Sequence, residues 1–136
     1  MTDYTQIPEN YKYTKNHEWI HQDETGEDDV FLVGITHHAQ EALGDIVHVE
    51  LPSIGSEFKV GDEMAVVESA KSASEIYAPI SGKVTAVNDQ LDSNPEKIND
   101  SPYQAGWMVK MRIENPDQIS ETLGADGYNN FLEEEA

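Results

Sequence analysis

Short apolar runs separated by turn residues recur along the chain, and they predict a mainly β protein. The run at 30–35 is apolar on both faces, which predicts a strand buried on both sides. The other predicted strands are 11–14, 18–21, 45–51, 63–69, 74–78, 83–87 and 107–113. We expect a β-sandwich or barrel-like core with small helices around it, because many short strands with frequent turns favour these architectures.

The segment 45–51 alternates regularly. Val47, Val49 and Leu51 fall on one side of a strand, and His48 and Glu50 fall on the other. Successive side chains of a strand point to opposite faces, so the pattern predicts that the three apolar residues share the buried face.

Helix signals are few and local. Thr36 can cap a short helix that runs to Leu43, and Gly44 is placed to end it. A short helical turn is predicted at Asn94-Pro95, and a C-terminal helix is predicted to start at Asn115-Pro116. That helix has Gln118 at the capping-box position, Gly124 as its stop and a further apolar face at Tyr128, Phe131 and Leu132. Residues 1–10 are polar and predict a loose lead-in.

Composition narrows the possible functions. The 136 residues suit one domain, 1–136 with its core at about 11–132, and the N-terminus lacks the features of a signal peptide, so we expect a cytoplasmic or mature organellar protein. The chain has no cysteine, so any thiol chemistry must come from a bound group. A net charge of −19 repels nucleic acid and anionic membranes. This charge fits a strongly solvated surface, as in a high-salt cytoplasm, or docking onto basic protein partners.

One lysine occupies a conspicuous position. Lys71 lies in a turn of small residues, 69–72, which we call the lysine turn, between two strand-like runs. Gly61 precedes it by ten residues and Gly82 follows it by eleven, which predicts a nearly symmetric hairpin with Lys71 at the tip. A solubilising turn residue and a covalent attachment point both fit this pattern. Direct catalysis fits the pattern less well, because a Schiff-base lysine needs a desolvated or cationic site, and Lys71 has Glu68 and Glu75 nearby.

The sequence around this lysine resembles the lipoyl-lysine segment of glycine cleavage system H proteins. The resemblance extends in order from about Tyr11 to Leu132. It is carried by residues 68–75, 79–84, 13–19, 34–45, 49–52, 101–103 and 106–107. Biotin carriers place methionines on both sides of the lysine, whereas Ala70 and Ser72 stand here. These two residues also differ from the commonest ones in H proteins, although both keep the turn small.

The resemblance implies a barrel-sandwich hybrid of the lipoyl-attachment type, with lipoate in amide linkage to Lys71. It implies a non-catalytic, monomeric carrier that takes the aminomethyl group of glycine from a pyridoxal-phosphate glycine decarboxylase to a tetrahydrofolate-dependent aminomethyltransferase. A dihydrolipoyl dehydrogenase and a lipoylating enzyme would be its other partners. The alternatives are an H-like relay that donates lipoyl groups to other enzymes and a free-standing enzyme that uses Lys71 directly.

Four further residues are candidates for the site. Glu18 and Glu75 match positions that could face a protonated amine on a docked arm, although surface carboxylates would give the same pattern. Glu68 and Ser69 are candidates for recognition by the modifying enzyme. We expect no metal site, because His17 and His21, four apart on a strand, would hold their rings too far apart.

Overall fold

The computed structural model describes residues 3–135, and β-strands dominate its regular structure. The strands are β1 (Lys12–Tyr13), β2 (Glu18–Gln22), β3 (Val30–Ile35), β4 (Ile46–Glu50), β5 (Glu57–Phe58), β6 (Glu63–Ser69), β7 (Ala73–Tyr77), β8 (Gly82–Val87) and β9 (Val109–Ile113). The helices are α1 (His37–Leu43), α2 (Gln90–Ser93), α3 (Lys97–Asp100), α4 (Asp117–Ser120) and α5 (Ala125–Glu135).

Two antiparallel sheets form the core. The larger has the strand order β1-β2-β3-β9-β8-β5, and the smaller has the order β4-β6-β7. The main apolar cluster draws on both sheets, with Val33 and Met111 from the larger and Val49 and Val67 from the smaller. This arrangement confirms the predicted mainly β sandwich with short peripheral helices and a C-terminal helix.

β3 is covered on both faces, as its sequence predicts. Val33 belongs to the main cluster, while Leu32 packs against a second cluster that contains Trp19 and Tyr128. Gly34 lies directly against the Trp19 ring, since an added Cβ would come within 2.7 Å of two ring carbons. The second cluster attaches helix α5 to the outer face of the larger sheet.

The register predicted for 45–51 is wrong at one residue. Val47 is 56% exposed, whereas Ile46 and Val49 are 3% and 2% exposed. The pairing of β4 with β6 shifts between Ile46 and His48, and such a bulge inserts an extra residue that turns the following side chains over. The bulge therefore puts Val47 outside, next to the strand that leads to the lysine turn.

The helix ends agree with the sequence at α1 but not at the C-terminus. The Thr36 side chain accepts a hydrogen bond from the Ala39 amide, and the Gly44 amide donates to the Gln40 carbonyl. Gln118 does not complete a capping box. Its side-chain carbonyl accepts from the Ser81 amide at 2.7 Å, so it ties α4 to the turn before β8.

The predicted C-terminal helix is divided. α4 ends at Ser120, and α5 begins directly after Gly124, so this glycine separates two helices instead of stopping one. The first residues also differ from the predicted loose lead-in. Ile7 is 7% exposed, and the Pro8 carbonyl accepts from the Tyr13 hydroxyl at 2.6 Å. Residues 1 and 2 of that lead-in lie outside the described range.

No helix within residues 3–135 is long and apolar enough to cross a membrane.

Candidate functional site

The lysine turn lies at the tip of the β6–β7 hairpin, where the sequence places it. The register of the two strands ends at the pair Glu68 and Ala73, and the Ser69 amide donates to the Ser72 carbonyl at 2.7 Å across the turn. Ala70, Lys71 and Ser72 are all exposed. The Lys71 amine is therefore presented on small neighbours that leave it accessible.

The Ser69 hydroxyl organises this turn from within. It accepts from the Lys71 amide at 3.2 Å and from the Ser72 amide at 3.0 Å, and it donates to the Ser72 carbonyl at 3.1 Å. Ser69 is 9% exposed, so its side chain points into the hairpin. The structure gives Ser69 a role in shaping the turn, beside the predicted role in recognition by a modifying enzyme.

The segment after α1 supports the turn from below. The Ala70 amide donates to the Asp45 carbonyl at 3.2 Å. A Cβ added to Gly44 would lie 3.1 Å from Lys71 Cε and 3.6 Å from Nζ, so the lysine stem crosses this glycine. Gly44 has a φ of 86°, a conformation that glycine adopts without strain. The sequence pattern around Gly44 predicts only a helix stop.

A cleft of about 220 Å³ opens beside Gly44, between α1 and β7, and we call it the α1–β7 cleft. Its lining is mainly apolar, with a polar rim at one end. The lining residues are Asn16, His17, Ile35, His38, Ala39, Ala42, Leu43, Ser74 and Ile76. An apolar chain of small cross-section fits such a cleft, which begins one residue from the glycine under the Lys71 stem.

His17 joins the rim of the cleft to the C-terminal helix. Its Nδ1 lies 2.7 Å from the Tyr128 hydroxyl, which lies 2.8 Å from Thr36 Oγ1. Its ring also lies against that of His38, with centroids 4.7 Å apart. Burial lowers the pKa of His17, and His38 lowers it further, while Glu135 acts in the opposite direction. No sequence spacing connects His17 with Tyr128, so the contact between the rim of the cleft and α5 is visible only in the structure.

Glu18 is not a surface carboxylate. It is 1% exposed, and its two oxygens accept from the Thr14 hydroxyl at 2.6 Å and from the Tyr77 amide at 3.3 Å. Burial raises the pKa of Glu18, and the two hydrogen bonds oppose that shift. Its carboxyl group occupies the edge of β7, at the end of the hairpin away from Lys71.

Glu75 and Glu68 lie on the hairpin itself. Glu75 is exposed and accepts a hydrogen bond from the Tyr77 hydroxyl at 2.9 Å. Tyr77 therefore contacts both candidate acids, since its backbone amide donates to Glu18 and its hydroxyl donates to Glu75. Glu75 also raises the pKa of Glu63 on the neighbouring strand. Neither Glu18 nor Glu75 lines the α1–β7 cleft, whereas Ser74 and Ile76 do. Glu68 is half-buried and pairs across the hairpin with Ala73.

Among residues 3–135, no group of three or more His, Asp or Glu side chains is arranged to hold a metal ion. The site therefore consists of an exposed primary amine, a rigid turn that holds it, and a narrow apolar cleft close by. This arrangement suits a lysine that carries an attached group better than a lysine that reacts in place, because the amine is neither enclosed nor next to a cation.

Comparison with known proteins gives consistent matches. The model of the glycine cleavage H-protein family matches residues 11–135. The glycine cleavage system H protein of Aeromonas hydrophila is 46% identical over 129 residues, 95% of this chain and 98% of that protein. That of Photorhabdus laumondii is 47% identical, over 95% and 97%. The crystal structure of a glycine cleavage system H protein from Mycobacterium marinum is similar with a TM-score of 0.84 and 36% identity, covering 93% of this chain and 99% of that one.

Proposed function

The chain belongs to the glycine cleavage H-protein family, and from this premise we propose that Lys71 is the residue that carries its lipoyl group. The position of Lys71 at the exposed tip of the β6–β7 hairpin is the observation that carries the proposal. Its neighbours Ala70 and Ser72 are too small to cover the amine. Attachment joins Nζ to the carbonyl carbon of an activated lipoyl donor, with loss of one proton from nitrogen and departure of the activating group.

The residues around Lys71 fit lipoate. The lysine stem lies across Gly44, and the α1–β7 cleft begins at the adjacent Leu43 with apolar walls that suit an acyl chain. When attached, lipoate supplies the dithiol chemistry that a chain without cysteine lacks, namely uptake and release of the aminomethyl group of glycine. This chain contributes presentation of the amine and a cleft that keeps water from an apolar group.

The candidate acids take different roles in this proposal. Glu68 is half-buried and stands directly before the turn, so we assign it the contact with a lipoylating enzyme because of its position next to the turn. Glu18 is held by Thr14 and by the Tyr77 amide, and Glu75 is held by the Tyr77 hydroxyl. Both acids therefore contact Tyr77 of β7, the strand that lines the cleft through Ser74 and Ile76, and we assign them the positioning of that strand instead of direct contact with a docked amine.

The proposed activity is that of a single carrier domain, not of a catalyst. Its partners would be the glycine decarboxylase, the aminomethyltransferase, the dihydrolipoyl dehydrogenase and a lipoylating enzyme. An exposed arm on a rigid hairpin suits visits to several partner active sites. The net charge of −19 predicts that these partners present basic surfaces, so that their association weakens as salt rises.

Intact mass measurement tests the attachment site. We expect the protein isolated from lipoate-replete cells to carry one lipoyl group, and Lys71→Arg to carry none, because a guanidinium does not form this amide. Lys83→Arg changes another exposed lysine, in strand β8, and this variant should still carry one lipoyl group at Lys71. Unmodified wild-type protein, or a modified Lys71→Arg variant, would overturn the proposal.

A reconstituted assay separates the carrier from the relay. Lipoylated protein should support glycine-dependent release of CO₂ when it is mixed with glycine decarboxylase, and the Lys71→Arg variant should not. In a parallel incubation, a lipoyl-free acceptor domain and a lipoyl transferase are added instead. Transfer of the lipoyl group to that acceptor without any support of decarboxylation would favour the relay.

A further inference from the structure

The Asn99 side chain on helix α3 makes three hydrogen bonds, to α1 and to the segment that follows it. Its Nδ2 donates to the Gly44 carbonyl and to Gln40 Oε1, both at 2.9 Å. Its Oδ1 accepts from the Ile46 amide at 2.9 Å. The Asn99 side chain therefore fixes the backbone on both sides of Asp45.

That backbone is the support of the lysine turn. The Asp45 carbonyl accepts the Ala70 amide, and Gly44 lies beneath the Lys71 stem. Asp45 is thus the only residue between the two groups that Asn99 holds, and it makes the contact that anchors the turn from outside. We infer that Asn99 is a positioning residue: it holds the 44–46 segment so that Lys71 is presented in one geometry to the lipoylating enzyme.

The chemistry of the amide explains the choice of asparagine. The Gly44 carbonyl needs a donor and the Ile46 amide needs an acceptor, and one short side-chain amide supplies both. Truncation leaves these two backbone groups without partners, and a loosened Asp45 carbonyl no longer holds the Ala70 amide in place. The inference rests on the proposed attachment of lipoate at Lys71, but the order of the 44–46 segment can be measured without any modification.

Asn88 offers a matched control. Like Asn99, it makes three side-chain hydrogen bonds: its Nδ2 donates to the carbonyls of Ala105 and Trp107, and its Oδ1 accepts from the Gln90 amide. Asn88 is 5% exposed, whereas Asn99 is half-buried. None of these partners contacts the lysine turn. Asn99→Ala and Asn88→Ala therefore each remove two donated bonds and one accepted bond, at two different places.

The experiment measures lipoylation kinetics with a lipoate ligase, ATP and lipoate, with each protein as the acceptor. We expect Asn99→Ala to lower kcat/KM by roughly fivefold, the factor set by one lost positioning hydrogen bond. The loss should lie mainly in KM for the acceptor protein. Asn88→Ala should keep the wild-type kcat/KM although its melting temperature is similar to that of Asn99→Ala. Amide hydrogen exchange of Ala70 should accelerate in Asn99→Ala only.

The possible outcomes are distinct. Asn99→Ala lipoylated with wild-type kinetics, or both variants slowed equally, would overturn the positioning role while leaving Lys71 as the attachment site. Failure of the wild-type protein to be modified at Lys71 would instead overturn the proposed function. If Asn99→Ala does not fold, Asn99→Asp keeps the acceptor for Ile46 and loses the donor to Gly44, and the same kinetic and exchange comparisons apply to it.

Discussion

Removal of the Ser69 hydroxyl tests whether the lysine turn is a rigid structure. Ser69→Ala eliminates two bonds accepted from the Lys71 and Ser72 amides and one donated to the Ser72 carbonyl. A net contribution of about 0.5–1.5 kcal/mol applies to a typical protein hydrogen bond. These bonds are 3.0–3.2 Å long, and the released amides lie in an exposed turn where water replaces the partner. We therefore expect a loss of about 1–2 kcal/mol in total.

The expected change in melting temperature follows from chain length. An unfolding entropy of about 2.1 cal/mol/K per residue gives roughly 0.29 kcal/mol/K for 136 residues. A loss of about 1–2 kcal/mol then lowers Tm by about 3–7 °C. Differential scanning calorimetry resolves such a shift. Lipoylation of Lys71 should also slow, since the turn no longer holds one shape.

Ser72→Ala is the control, because it makes the same chemical change three residues away in the same turn. The Ser72 hydroxyl forms no hydrogen bond with other residues of the 3–135 range, and the residue is exposed. This variant should melt within about 1–2 °C of the wild type, since surface substitutions of this kind cost little. A Ser69→Ala variant that melts and is lipoylated like Ser72→Ala would refute the role assigned to Ser69.

Three other substitutions test the site and the fold. Lys71→Ala should abolish lipoylation yet change the free energy of unfolding by no more than about 0.5 kcal/mol, because the residue is exposed; a large loss in denaturant titration would contradict this. Gly34→Ala should destabilise by about 1–3 kcal/mol through contact with the Trp19 ring, whereas Gly124→Ala, which has open space, should not; equal melting temperatures would count against this packing. Burial lowers the pKa of His17 in the folded state, so its neutral form contributes stability that is complete above the unfolded value of 6.5 and is lost as pH falls. Asparagine tolerates the positive φ of this position, so His17→Asn is a suitable variant. The difference in free energy of unfolding between wild type and His17→Asn, measured by urea titration, should shrink as pH falls below 6.5, and a difference that stays constant with pH would contradict the assignment.

Residue patterns alone identified eight of the nine strands found in residues 3–135, all except β5, as well as the capped helix α1 and the lysine at a hairpin tip. These features depend on neighbours within a few residues: alternation in a strand, the Thr36 cap, and small residues in a turn. The resemblance to H proteins then supplied the expected chemistry of Lys71. Such local signals are readable because the interacting groups are adjacent in the chain.

Tertiary structure decided the features that depend on distant partners. A bulge against β6 turned Val47 outward, and Gln118 bonded to Ser81 instead of its own helix end. Glu18 was buried against the edge of β7, and its pKa was raised for that reason. In each case a group found its partner on an element that only sheet packing brings near, and no periodicity in the sequence records that pairing.

The same division applies to the site. The sequence by itself determined which amine is presented, because a small, polar turn between two strands exposes whatever residue stands at its tip. Only the tertiary structure decided how that amine is held. Asn99, 28 positions away, fixes the segment beneath Lys71, and α1 meets β7 to form the cleft beside it. A hydrogen bond or a cavity between distant segments exists only once the two sheets have packed and the helices have docked on them.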